Sequence, residues 1–381
     1  MTICYSILVT GLYIHIPFCT QKCHYCNFVI TTAHAPSDHA AFLNAFEKEI
    51  LHTRSDFENI VFDTLYLGGG TPSVMNREET AILFDLIRKN FEFKNAAEIT
   101  CEINPGDIDF DKAENYRVLG VNRVSLGAQS FQDTTLKRLN RKHVAKDILT
   151  SFNVLRKVGF HNISLDLILS LPGETLEDVT NSLDQLLKLA PEHVSLYELT
   201  IKEKTVFGNL FKNGQLDLPD EDLQIKMLSC ARETLKKAGL RHYELLNYSK
   251  PGFESRHNQI YWANQETLGL GPGAYSYIGG RRFMYSAGVA EYFEKTRKGD
   301  WTAFEEEKLT PEKKEVESFL LALRLVKGAE CRQFRSLMEK LKETIEKLEA
   351  MELLSRESGR LHLTGRGQFF AETVFSELAG A

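Results

Sequence analysis

From residue 12 to about residue 200 the chain alternates short β-rich runs with longer stretches of helical periodicity, and no other feature narrows its fold so far. The strand-like runs are GLYIHI (11–16), FDTLYL (62–67), AEITCEI (97–103), NRVSLG (122–127), NISLDLIL (162–169) and HVSLYEL (193–199). Asp38 to Arg54, Arg77 to Asn90, Val144 to Val158 and Leu176 to Leu189 place apolar residues at helical spacing between them. Six β–α repeats predict parallel strands with right-handed crossovers, an α/β fold closing as a partial (β/α)6-type barrel. Barrels of this kind carry functional residues at the carboxyl ends of their strands. The chain meets that test: GGGTP (68–72) follows the second run, Glu102 ends the third, Gln129 lies just past the fourth and Asp166 sits within the fifth.

Beyond residue 200 the rhythm changes. Residues 201–219 read as a loop and Asp220 to Ala238 as a helix, while 241–300 are rich in Gly, Tyr and Phe without clear period. From about 305 a small helical module begins, and LLSRESGRLHLTGRGQFF (353–370) reads as a β-hairpin after a helix, as in a winged-helix unit. The expected division is therefore 1–200 for the barrel core, 201–300 for an α+β extension and 301–381 for a winged-helix-like module. MTICYSILVT, the first ten residues, has no basic start and no small-residue cleavage site, so it reads as a short extension and not a signal peptide.

The net charge of −6 gives no general attraction to nucleic acid or to an anionic membrane. No stretch approaches the roughly 20 apolar residues of a membrane span. Seven cysteines are present: Cys19, Cys23 and Cys26 fall within eight residues, while Cys4, Cys101, Cys230 and Cys331 are scattered. A disulfide framework would be denser and more even, so a metal site in a reducing cytoplasm is expected, with the scattered four as small buried hydrophobes.

C-x3-C-x2-C directly after the first strand brings three thiolates close enough to grip one iron–sulfur cubane and leave its fourth iron without a protein ligand. The rival reading is a zinc site completed by His15 or His24. Position at the mouth of a β/α repeat, with Tyr25 before the last cysteine, favours the cluster; His24 then reads as an exposed loop residue.

A C-x3-C-x2-C motif with an aromatic residue before its last cysteine resembles the radical S-adenosylmethionine (SAM) superfamily. That resemblance implies a [4Fe–4S] cluster on Cys19, Cys23 and Cys26, with the amino and carboxylate groups of SAM on the unique iron. LYIHIPFC (12–19), GGGTPS (68–73), CEINPGDID (101–109), RVSLGAQSF (123–131), LDLILSLPGET (165–175) and LGLGPGAYS (268–276) are similar to the oxygen-independent coproporphyrinogen III oxidase family. Two branches of that family matter, the oxidase and a heme chaperone. The oxidase has a fourth cysteine where this chain has Phe28, and a long extension where this chain has about ten residues before its first strand. HNQIYW (257–262) matches the HNxxYW pattern of the chaperone branch. Together these favour the chaperone, with the oxidase as the alternative and enzymatic turnover left undecided.

The resemblance also implies the SAM contacts: Tyr13, Tyr25, Gly69, Gly70, Thr71, Glu102, Gln129, Arg141 and Asp166, with Thr200 a weaker match. A direct Glu102–Arg141 pair is the structural alternative for those two. Ser170 replaces the family's usual glycine before Leu171–Pro172, and Asn27 stands where an acid is common. At the heme end His257 is the candidate axial ligand, with Tyr261 and Trp262 against the porphyrin face. The alternative there is an aromatic loop packed on the barrel with His257 merely hydrogen-bonded. Heme, a heme-acceptor protein such as a respiratory one, an electron donor for the cluster and a second copy of the chain are the partners the resemblance implies.

Overall fold

A computed structural model describes residues 10–54 and 60–380; Cys4 and the first nine residues lie outside them. The six expected strands are β1 (Gly11–Ile16), β2 (Val61–Gly69), β3 (Glu92–Ile103), β4 (Arg123–Gln129), β5 (Ile163–Leu169) and β6 (His193–Glu198). They are parallel and follow one another in chain order across the sheet. With no reversal in that order, every right-handed crossover returns on the same face, and the sheet must curl around its bare face.

Helices Pro36–Thr53, Arg77–Asn90, Phe110–Val118, Ala145–Val158 and Leu176–Leu189 cover the outside. Val179, Leu183 and Leu186 of Leu176–Leu189 recur at helical spacing and are fully buried, each stabilising the fold by about 1.5–3 kcal/mol. Its start is set by Thr175, whose hydroxyl accepts from the Asp178 N–H while the Asp178 carboxylate takes the Thr175 N–H.

The region without sequence period completes both edges of the sheet. On the β6 side stand β7 (Arg241–Glu244) and β8 (Asn247–Ser249), antiparallel to their neighbours. On the other side β9 (Thr267–Leu270) pairs parallel to β1, and β10 (Ser276–Ile278), β11 (Arg281–Met284) and β12 (Glu305–Lys308) follow antiparallel. The barrel is thus partial, its rim ending in two antiparallel flaps. The loop expected over 201–219 contains a seven-residue helix, Val206–Lys212, capped by the Thr205 hydroxyl. Two turns are too few to show a period, and burial of Phe207 holds them.

After β12 comes helix Pro311–Arg324, then a three-stranded sheet of β13 (Ala329–Glu330), β14 (Leu354–Glu357) and β15 (Arg360–Leu363). β14 and β15 form the expected hairpin. Phe319, Leu323, Leu337, Ile345, Leu361 and Val374 belong to a second hydrophobic core, separate from that of the barrel.

Candidate functional site

The cysteine loop leaves the carboxyl end of β1 and is tied down over the glycine turn that ends β2. Gly70 N–H donates to Ile16 O (2.7 Å) and Thr71 N–H to Phe18 O (2.8 Å). A Cβ on Gly70 would stand 2.6 Å from Phe18 O and 2.8 Å from Ile16 O, so only glycine lets the strands approach this far. The loop closes on itself through Cys19 N–H to Thr31 O (3.0 Å) and Thr31 N–H to Pro17 O (2.7 Å).

The three cysteines open on one cavity of about 350 Å3 at the carboxyl ends of the strands. Its wall also holds Tyr25, Gly69, Gly70, Thr71, Glu102, Gln129, Arg141, Asp166 and Thr200. Tyr13 is not in the wall; it lies in β1, its hydroxyl 3.1 Å from His15 Nδ1 and its ring 6.1 Å from that of Tyr66. The structure thus brings together every residue named for SAM except Tyr13.

Arg141 and Glu102 do not pair. Arg141 donates through Nη2 to Asn104 Oδ1 (2.5 Å) and Gly127 O (2.9 Å), and through Nη1 to Cys23 Sγ (3.4 Å). Glu102 instead accepts from the Tyr66 hydroxyl at 2.8 Å. Burial pushes its carboxyl up to about 7, against the opposing effect of that hydrogen bond. Asp166 is raised by burial too, and is held by the hydroxyls of Ser125 (3.0 Å) and Ser164 (3.2 Å). Burial takes the Cys19 thiol to about 11 although the Thr71 hydroxyl lies 3.4 Å away, and its neighbours Cys26 and Cys23 push it the same way. A metal cluster with three open valences is what relieves three thiols crowded like this.

The zinc alternative loses its fourth ligand. His15 donates from Nε2 to Val29 O (2.8 Å), and half-buried His24 turns Nδ1 to Arg138 O (2.9 Å). Among the described residues no three His, Cys, Asp or Glu side chains converge on a single ion. The donor set therefore fits a cluster that gives each thiolate its own iron, and Arg141, Glu102 and Asp166 are ionisable groups lining the same cavity.

HNxxYW lies at the other end of the barrel. Its helix, Arg256–Trp262, sits against the amino ends of β1 and β2: a Cβ on Gly11 would touch His257 Cε1 at 3.0 Å. Both ring nitrogens of His257 are taken, Nδ1 by the Thr64 hydroxyl (2.7 Å) and Nε2 by the Tyr261 hydroxyl (3.0 Å). Glu98 accepts from the His257 N–H at 3.1 Å, and burial lowers the imidazole to about 3. Trp262 lies under the Arg324 guanidinium at 4.3 Å. In the structure these three residues pack as a plug at this end of the barrel, with both His257 ring nitrogens hydrogen-bonded. Of the scattered cysteines Cys101 is buried as expected, whereas Cys230 and Cys331 are only half-buried.

Sequence reasoning missed three supports. Asn104 links Arg141 to the Thr71 hydroxyl (2.8 Å), and its place two residues past Glu102 at a strand end could have flagged it. Tyr66 had the same signal, one turn of pleat before GGGTP. The third carries no sequence signal: a chain runs from Glu79 to His39 (3.0 Å), His34 (3.0 Å) and the Cys19 carbonyl (3.1 Å).

Six parallel strands in sequential order, with a three-cysteine loop after the first, are the build of a radical SAM protein, and the model of the radical SAM superfamily matches residues 13–186. A second model, the HemN C-terminal domain, matches residues 309–370. The chain is 34% identical to heme chaperone HemW of Bacillus subtilis, over 97% of this chain and 98% of that one. It is 35% identical to heme chaperone HemW of Lactococcus lactis, over 96% of both. The chain belongs to this HemW family. Among solved structures, the radical SAM enzyme coproporphyrinogen III oxidase (HemN) of Escherichia coli superposes with a TM-score of 0.86 at 23% identity, over 98% of this chain and 91% of that one. Superfamily membership implies a [4Fe–4S] cluster and SAM as cofactors.

Proposed function

We propose that this protein binds heme and hands it to an acceptor protein, with a [4Fe–4S] cluster on Cys19, Cys23 and Cys26 and SAM beside it. The near full-length likeness to proteins named heme chaperone carries the reading. When bound, the cluster would supply an iron that SAM can chelate and an electron able to split it. The chain's own part is to hold these groups. Arg141 sets a positive charge beside Cys23, Glu102 and Asp166 present carboxylates to hydroxyls or an ammonium, and the glycine turn lets a ligand approach backbone. Gln129 and Thr200 add neutral donors and acceptors to the same wall, and Tyr25 an aromatic face. Tyr13 acts from behind, through His15 and Tyr66. Division at about residues 200 and 300 belongs to the same reading, as do an electron donor, a respiratory acceptor, a second copy of the chain and a cytoplasmic location. No helix among the described residues is long and apolar enough to cross a membrane.

The test is to rebuild the cluster without oxygen, titrate heme, and separately assay coproporphyrinogen III turnover. Stoichiometric heme uptake with no decarboxylation is the expected outcome; sustained decarboxylation would instead make the protein an oxidase.

A further inference from the structure

Behind the cysteine loop lies a second, wider cleft of about 870 Å3. Ligand sites run to about 300–1,000 Å3, so it is large enough for a tetrapyrrole, whereas the cysteine cavity at about 350 Å3 is committed to cluster and SAM. The two spaces touch: Asn27, Phe28, Ile30 and Lys202 line both. Phe28 and Ile30 from the cysteine loop, and Val289 and Phe293 from helix Val289–Lys298, supply its apolar lining. Phe28 is 63% exposed, an unusual position for a phenylalanine.

The polar part of the lining is cationic. Lys22, Lys202 and Lys204 are exposed there, and none makes an ion pair among the described residues. Against them stand two carboxylates, Asp38 and Glu203, and Asp38 is already bound to the Ala35 N–H at 2.6 Å. Three cations against two anions leave the cleft positive in a chain of net charge −6.

We propose that this cleft is the heme site. The inference rests on the heme-carrying reading and assigns its place, away from the HNxxYW plug. Apolar walls take the two faces of a flat macrocycle, and the lysines take its propionates. Among the described residues the lining contains no His, Cys, Met or Tyr, so the grip is on ring and carboxylates and the iron is left for the acceptor to claim. Phe28, where the oxidase branch has a fourth cysteine, supplies the apolar edge between cluster and macrocycle.

Metal-free protoporphyrin IX, its dimethyl ester and hemin are the probes, titrated into the full-length, cluster-loaded protein by fluorescence quenching and Soret absorbance. Hemin and protoporphyrin IX should bind within about three-fold of each other, and the ester about ten-fold more weakly, since each ten-fold is about 1.4 kcal/mol and one unpaired carboxylate contact costs that much. The triple variant Lys22→Glu/Lys202→Glu/Lys204→Glu should lower hemin affinity by about ten-fold or more and erase the acid–ester difference. Phe28→Asp should do the same, with iron and sulfide content read on the same samples. If that variant loses its cluster, the lysine variant decides, because its side chains are exposed and support no packing. Unchanged hemin affinity in the lysine variant, with loss in His257→Ala, overturns the cleft and leaves the chaperone reading standing. Absence of hemin binding by the unaltered protein overturns both.

Discussion

Ser170 sits at φ +61°, in the left-handed region that costs an L-residue about 1–2 kcal/mol, and its buried hydroxyl has no hydrogen-bond partner among the described residues. Ser170→Gly should therefore stabilise the fold by about 1 kcal/mol, less whatever glycine adds to the entropy of the unfolded chain. A higher urea midpoint at constant slope would show it; a lower one would mean the hydroxyl has a partner in solution. The departure was visible in sequence as a missing glycine, although its cost needed the backbone angle. His257 is the reverse case. Its type and spacing were plain, but its role turned on Thr64, Tyr261 and Glu98, the first and last of them 193 and 159 residues away in sequence. Residue identity tells what a side chain is able to do; only its neighbours tell whether it is free to do it.

The elements that sequence placed well are those with local signals at both ends. Arg77–Asn90 begins at Asn76, which shares a capping box with Glu79, and Leu176–Leu189 begins at Thr175 with Asp178. By contrast β7 to β11 are three or four residues each, too short for a local pattern to mark them, and they join the sheet through β8 on β6 and β9 on β1, about 50 and 250 residues away. The glycine turn stands between these cases: GGGTP was legible as a close approach, but what approaches is the chain's own Ile16 and Phe18. Gly70→Ala should push the cysteine loop away and lower the iron and sulfide content of the reconstituted protein by half or more, with the far-ultraviolet spectrum unchanged. Full cluster content in that variant would mean that the loop is held by the Thr31 bonds alone.

Across the whole molecule, Glu49 ties three elements into one. From helix Pro36–Thr53 it accepts from Gly271 N–H (2.9 Å) and from the Tyr292 hydroxyl (2.7 Å), and burial raises its carboxyl to about 7. In the unfolded chain it titrates near 4.5. The folded state thus holds the extra proton between these values, and the stability this confers is whole below pH 4.5 and lost as pH rises through 7. Glu174, raised to about 7 by burial, adds the same slope. Glu49→Gln keeps an acceptor oxygen, so it should raise the melting temperature at pH 8, worth about 1–3 kcal/mol, and leave it nearly unchanged at pH 4. An equal effect at both values would assign the change to packing and not to charge.

The pairing of β1 with β9 sets a timetable for assembly. β1, which launches the cysteine loop, waits for a neighbour about 250 residues further along the chain. At roughly 5–20 residues per second a ribosome needs about 13–50 s to supply it. Until then the strand that launches the loop is paired on one side alone, with β2. Cluster delivery to this protein therefore belongs after β9 has docked, late in synthesis, and a stalled or truncated chain presents its three cysteines on a strand that lacks one of its two neighbours.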